Sequence, residues 1–132
     1  MEFVKACARA IKQSGLPGAP EPLYGDEAFK LDRRFGSASV ADFFINLYRE
    51  TGDREYLGFA RQLVEDILRK ATRDASGTKW IFPRYAFMEG AGTPAAFTGY
   101  FYGAAGYGLL MLQLDSVNRN AKRRIRLPDD PF

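Results

Sequence analysis

Histidine is absent from the 132 residues, and cysteine occurs once, as Cys7. The first absence removes the imidazole on which most general-base sites and many zinc sites depend. The second excludes an intramolecular disulfide and fits a reducing compartment. No apolar run approaches the roughly 20 residues needed to span a bilayer, so no membrane association is expected. The opening stretch MEFVKACARAIKQSG lacks both the long apolar segment and the small-residue cleavage site of a secretory signal, which makes a cytoplasmic location the expectation. Charge of one sign does not dominate either: the net charge is +3, and much of the excess sits in RNAKRRIR, Arg119 to Arg126. No nucleic-acid-binding signature accompanies that run, so it reads as a solvated basic tail and not as a nucleic-acid contact.

What is present is ordinary for a globular chain, with 46% apolar and 27% charged residues. A chain of this length buries roughly two-thirds of its unfolded surface as one unit, so residues 1–132 are expected to form a single domain. Phe3, Val4, Cys7, Ala8 and Ile11 recur at helical spacing, which places Cys7 in a core stripe, and Ser14-Gly15 reads as a stop. Three prolines and two glycines between Leu16 and Leu31 predict an irregular connection. A helix follows Gly36, with Ser37 or Ser39 as its cap and Val40, Phe43, Phe44 and Leu47 on its apolar stripe. Gly52 then breaks the helix and Asp53 caps the next, which runs to Thr72 with Tyr56, Leu57, Ala60, Leu63, Val64, Ile67, Leu68 and Ala71 on one face. Its other face, Glu55, Arg61, Glu65, Asp66, Arg69 and Lys70, reads as solvated.

From Gly77 to Gly99 the helical period disappears, and glycine, proline and aromatic residues become dense. This reads as a long loop holding a short strand around Trp80 to Phe82, and loops of such length in small domains tend to be functional. A last helix is expected from Tyr102 to Asp115, followed by an extended tail at LPDDPF. Its entrance is unusual, because Gly99, Gly103, Gly106 and Gly108 precede or open it although glycine costs about 1 kcal/mol per helical position.

An internal repeat accounts for those glycines. At an offset of 67 positions, Gly36 falls on Gly103, Ala38 on Ala105, Leu47 on Leu114, and Phe43-Phe44-Ile45 on Leu110-Met111-Leu112. The aromatic residues before each glycine, Phe35 and Tyr102, coincide as well. Two helices therefore begin with the same device, small residues that either admit a second backbone or allow positive φ. Between the copies lies one amphipathic helix, giving inner, outer and inner helices of the kind that stack side by side in solenoids and toroids. The stretch Leu109 to Leu114 holds only Gln113 as a polar residue, so this inner helix is expected to be enclosed.

GSASVADFFINLYRETGDREYLGFARQLVEDIL, then GTKWIFP, TGYFYGAAGYGLLMLQLD and the closing RLPDDPF resemble, in order and spacing, the C-terminal repeats of the lanthionine synthetase C-like (LanC-like) family. The likeness covers roughly Arg33 to Phe132. It implies an all-α fold, a partial α/α toroid of stacked helical hairpins with a long aromatic-rich loop, in which Gly36, Gly103 and Gly106 are the structural glycines of the helix entrances. Cyclases of the family add peptide cysteine thiols to dehydrated serine or threonine, and use a zinc ion held by two cysteines and a histidine. The family's Cys-His-Gly triplet reads Arg34-Phe35-Gly36 in this chain, so its zinc ligands are missing and no cofactor is expected. The family also closes its ring with several more hairpins, which implies self-association or the remainder of a longer toroid.

Two readings of function follow. In the first, the chain is a divergent, zinc-free scaffold that binds a peptide or protein at the mouth lined by Arg34, Phe35 and Tyr102 and by the loop carrying Trp80, Arg84, Tyr85 and Glu89, since aromatic residues beside arginine suit recognition. Each of these aromatics could equally pack over the helix ends. In the second, the chain supports a cyclase whose zinc-bearing part lies elsewhere. Acid and base catalysis by Asp42 and Glu89, the only acidic residues placed near a helix mouth or in the aromatic loop, has thin support.

Overall fold

Gly52 and Asp53 set the centre of the fold. In the computed structural model, which describes residues 1–18, 36–82 and 95–119 together with Ile125 and Pro128, these two residues join helix α2 (Ser37–Thr51) to helix α3 (Arg54–Arg69). Gly52 takes the left-handed conformation, φ 72°, that ends a helix cheaply only for glycine. The Asp53 carboxylate then accepts the amide of Glu55 at 2.9 Å and starts α3. So short a connection forces the two helices to lie antiparallel. Their seam is aromatic: Phe44 is completely buried, with Phe59 edge-on at 4.7 Å and Tyr56 tilted at 5.9 Å. Phe59 falls outside the expected α3 stripe, and the face α3 buries is correspondingly wider.

Helix α1 (Glu2–Gln13) ends as expected at Ser14, whose amide and hydroxyl both bond the Ile11 carbonyl. Its packing differs from the expectation. Ala8 is the residue it buries completely, Cys7 is half-buried, and Phe3 is 80% exposed. Lys12 reaches Glu55 at the start of α3.

Beyond Arg69 two short strand pairs interrupt the helices, one of them at the short strand expected around Trp80 to Phe82. Helix α3 stops at Arg69 rather than running to Thr72, and a hairpin of β1 (Thr72–Asp74) and β2 (Gly77–Lys79) follows, pairing Thr72 with Lys79 and Asp74 with Gly77. Both strands are exposed on both faces or nearly so, and such strands carry no alternation to read. A second antiparallel pair joins β3 (Ile81–Phe82) to β4 (Ala95–Ala96). The chain is mostly helical, with these two short sheets. Asp66 is also not solvated: its buried carboxylate accepts from Lys70 Nζ at 2.7 Å and faces Arg69 at 3.7 Å.

Helix α4 (Ala104–Asn118) begins two residues later and ends three residues later than its sequence suggests. Two ties fix its direction. Tyr107, in its first turn, lies against Trp80, whose indole is anchored near the end of α3, and Ser116, in its last turn, receives Arg49 from the last turn of α2. Helix α4 therefore runs antiparallel to α3 and parallel to α2. The main core gathers where α2, α3 and α4 meet, on Phe44, Ile45, Leu63, Ile67, Tyr107 and Leu110. No helix among the described residues is long and apolar enough to cross a membrane.

Candidate functional site at the helix entrances

Because α2 and α4 are parallel and each is 15 residues long, their N-termini open at one end of the bundle. The residues that cap them are Gly36 and Gly103, both buried and both with extended backbone (φ −108° and −143°). Neither serine acts as the expected side-chain cap of α2: Ser37 is the first helical residue, and the Ser39 hydroxyl donates to the Gly36 carbonyl at 2.9 Å.

The extended φ at Gly103 decides between the two reasons for a glycine there. Positive φ is not required, but space is. A Cβ at Gly103 would sit 2.2 Å from the Phe97 carbonyl oxygen and 2.8 Å from the Gly99 amide nitrogen. That approach has a purpose, since the Phe97 and Thr98 carbonyls accept the amides of Ala104 and Ala105 at 2.9 and 3.2 Å. The segment after β4 thus satisfies the first-turn donors of α4 with backbone, in place of a capping side chain. Gly106 is buried one turn further on, whereas Gly108 and Gly99 have nothing within 4 Å of a would-be Cβ.

The aromatic candidates separate. Trp80 is only 6% exposed, donates its indole N–H to the Ile67 carbonyl at 2.7 Å, and holds its ring 4.4 Å from that of Tyr107. It packs over the helix ends and offers no face to a partner. Tyr102 is half-buried beside the Gly103 cap. Phe101, which the sequence did not single out, is 49% exposed and stands edge-on to Tyr100 at 5.1 Å. The signal that could have found it is its position two residues before the capping glycine. Arg34, Phe35, Arg84, Tyr85 and Glu89 lie outside the described residues.

The polar groups of α2 and α4 form a line. Asp42, Asn46 and Arg49 occupy positions i, i+4 and i+7 of α2, with the Asn46 amide donating to Asp42 at 3.3 Å. The Arg49 guanidinium donates to Ser116 Oγ at 3.0 Å across 67 residues, so it joins two repeat-equivalent positions, and Ser116 Oγ donates to the Gln113 carbonyl at 2.7 Å. Gln113, the equivalent of Asn46, is completely buried, and neither end of its amide has a hydrogen-bond partner. Among the described residues, no three of Cys, Asp and Glu converge to hold a metal ion. The Arg34-Phe35-Gly36 triplet carries no cysteine or histidine side chain. The chain matches no protein-family model, no curated protein and no solved structure.

Proposed function

We propose that this chain is a divergent, zinc-free scaffold of the lanthionine synthetase C-like kind, which holds a peptide or protein segment at the entrances of its inner helices. The observation that carries the reading is the duplicated inner helix: α2 and α4 are parallel, equal in length and offset by 67 residues, each follows a buried glycine, and α3 returns between them. Stacked hairpins of that form build concave surfaces lined by helix ends, which suit extended ligands. At the described part of that rim, Phe101 is exposed beside Tyr100 and Tyr102, and aromatic side chains of this size dominate contact energies in peptide recognition. Arg34, Phe35, Arg84, Tyr85 and Glu89, which lie outside the described residues, are proposed to contribute to the same surface. The alternative, a structural half of a cyclase with zinc bound elsewhere, differs in requiring a second, zinc-bearing polypeptide for its activity.

The test combines elemental analysis with binding. After equilibration with zinc and gel filtration, the chain should carry no stoichiometric metal, and labelled peptides from an array should bind in a manner weakened about tenfold or more by Phe101→Ala, the size of an aromatic contact. Stoichiometric zinc, or peptide binding indifferent to both Phe101→Ala and Tyr102→Ala, would overturn the reading.

A further inference from the structure

The two inner helices share a sequence pattern but bury opposite sides. Ala38 and Ile45 lie on the stripe of α2 that also carries Arg49, and both are completely inaccessible. Their counterparts on α4 are Ala105, which is exposed, and Leu112, which is 55% exposed. The converse holds on the other side. Gly106, Leu110 and Gln113 of α4 are buried, whereas their counterparts Ser39, Phe43 and Asn46 on α2 are half-buried. Over their first turns and middle, the side that α2 closes is thus the side that α4 leaves open, and the side that α4 closes is the one α2 leaves partly open; only at the C-terminal ends, where Arg49 meets the buried Ser116, do equivalent positions face each other. A two-fold pairing of the helices would have buried the same side of each. The observed pattern belongs to a directional stack, in which each inner helix seats the next on one flank and is seated by the previous one on the other.

We infer that a second copy of this chain continues the stack, its Ser39-Phe43-Asn46 flank lying on the Ala105-Leu112 flank of α4. The contact is the α2 to α4 packing inside one chain, repeated between chains. Its chemistry matches at both ends. Leu112 is a large apolar group in water, and the small Ala105 and Gly108 on the same helix allow a neighbouring helix to approach closely. At the far end, exposed Glu50 of the arriving flank comes level with Arg119, which is held by Asp115 at 3.0 Å. Heterologous contacts of this kind either close into a ring or grow as an open array. The inference does not rest on the likeness to the cyclases, since any stack of these helices has the same two flanks.

Sedimentation velocity across micromolar to submillimolar concentrations tests it. The wild-type mass should rise with concentration beyond that of a monomer. Leu112→Glu and Asn46→Arg should each give monomers, because every contact needs one intact flank of each kind. An equimolar mixture of the two variants should form dimers and stop there, since it holds one intact pair of flanks. Asn46 is half-buried, so Glu50→Arg, at an exposed position on the same flank, is run beside it and should also weaken assembly, and circular dichroism melts report the folding of each variant. A monomeric wild type, an Asn46→Arg protein that assembles like the wild type, or a mixture that stays monomeric would overturn the inference.

Discussion

A methyl group at Gly103 would meet the backbone of Phe97 and Gly99, which cannot rotate away as a side chain could. Relieving a 2.2 Å approach to the Phe97 oxygen means moving the segment that caps α4, and with it the bonds to Ala104 and Ala105. Gly103→Ala should therefore cost about 1–3 kcal/mol, the range of overpacked sites, or more where the cap is lost. Gly108, five residues on, is the internal contrast. It is helical with nothing near its missing Cβ, so Gly108→Ala should gain about 0.5–1 kcal/mol from helix propensity alone. Urea denaturation of the two variants measures the opposed signs, and a Gly103→Ala protein as stable as the wild type would show that the close approach relaxes freely. Both glycines lie in one glycine-rich run, and the sequence does not separate the crowded position from the open one. That distinction depends on where the residues after β4 return.

The elements divide into those with local signals and those without. Gly52 and Asp53 carry their roles in their own chemistry, a left-handed stop and a carboxylate cap, so the α2 to α3 turn is legible from sequence. The mostly helical character follows from the three- and four-residue spacing of Leu57, Ala60, Leu63, Val64 and Ile67. The β1 to β2 hairpin has no such periodicity, because its strands bury neither face, and its stability is local. Asp74 Oδ1 accepts the Ser76 amide at 2.9 Å, Gly77 supplies φ 123° after the turn, and Lys79 Nζ lies 2.5 Å from Asp74 Oδ2. The Lys79 ammonium, with help from the Ser76 hydroxyl and amide, lowers the Asp74 carboxyl from 3.8 to about 2. Since the folded value lies below the unfolded one, the stabilisation is complete above 3.8 and is lost as pH falls through about 2. A carboxyl-detected NMR titration should find the Asp74 midpoint near 2, and in Lys79→Met it should return toward 3.8. An unchanged midpoint in that variant would assign the shift to Ser76 alone. Trp80 marks the limit of local reading, which leaves recognition and packing over the helix ends both open. An aromatic residue in a glycine- and proline-rich stretch suggests recognition, yet its indole N–H is spent on the Ile67 carbonyl 13 residues earlier in the chain.

For the whole molecule, the distribution of burial sets which parts open together. Helices α2 and α3 share the Phe44, Phe59 and Tyr56 seam, and α4 adds Tyr107, Leu110 and Leu114 to the same core. Helix α1 completely buries Ala8 alone, with Val4 and Ile11 only partly covered. Its Lys12 to Glu55 pair is exposed at the carboxylate end, where such pairs contribute about 0–1 kcal/mol. An element held by so little apolar area can detach without the rest unfolding. Native-state hydrogen exchange should then divide the chain in two. Amides of Phe44 to Leu47 and of Leu63 to Ile67 should exchange only through global unfolding, with rates that follow added urea steeply. Amides of α1 and of the β1 to β2 hairpin should exchange at least about tenfold faster and with little urea dependence, the mark of local opening. Protection in α1 equal to that of α3 would mean that Ala8, Val4 and Ile11 tie the first helix into the cooperative core, and that the molecule opens as one unit rather than around the α2 to α3 hairpin.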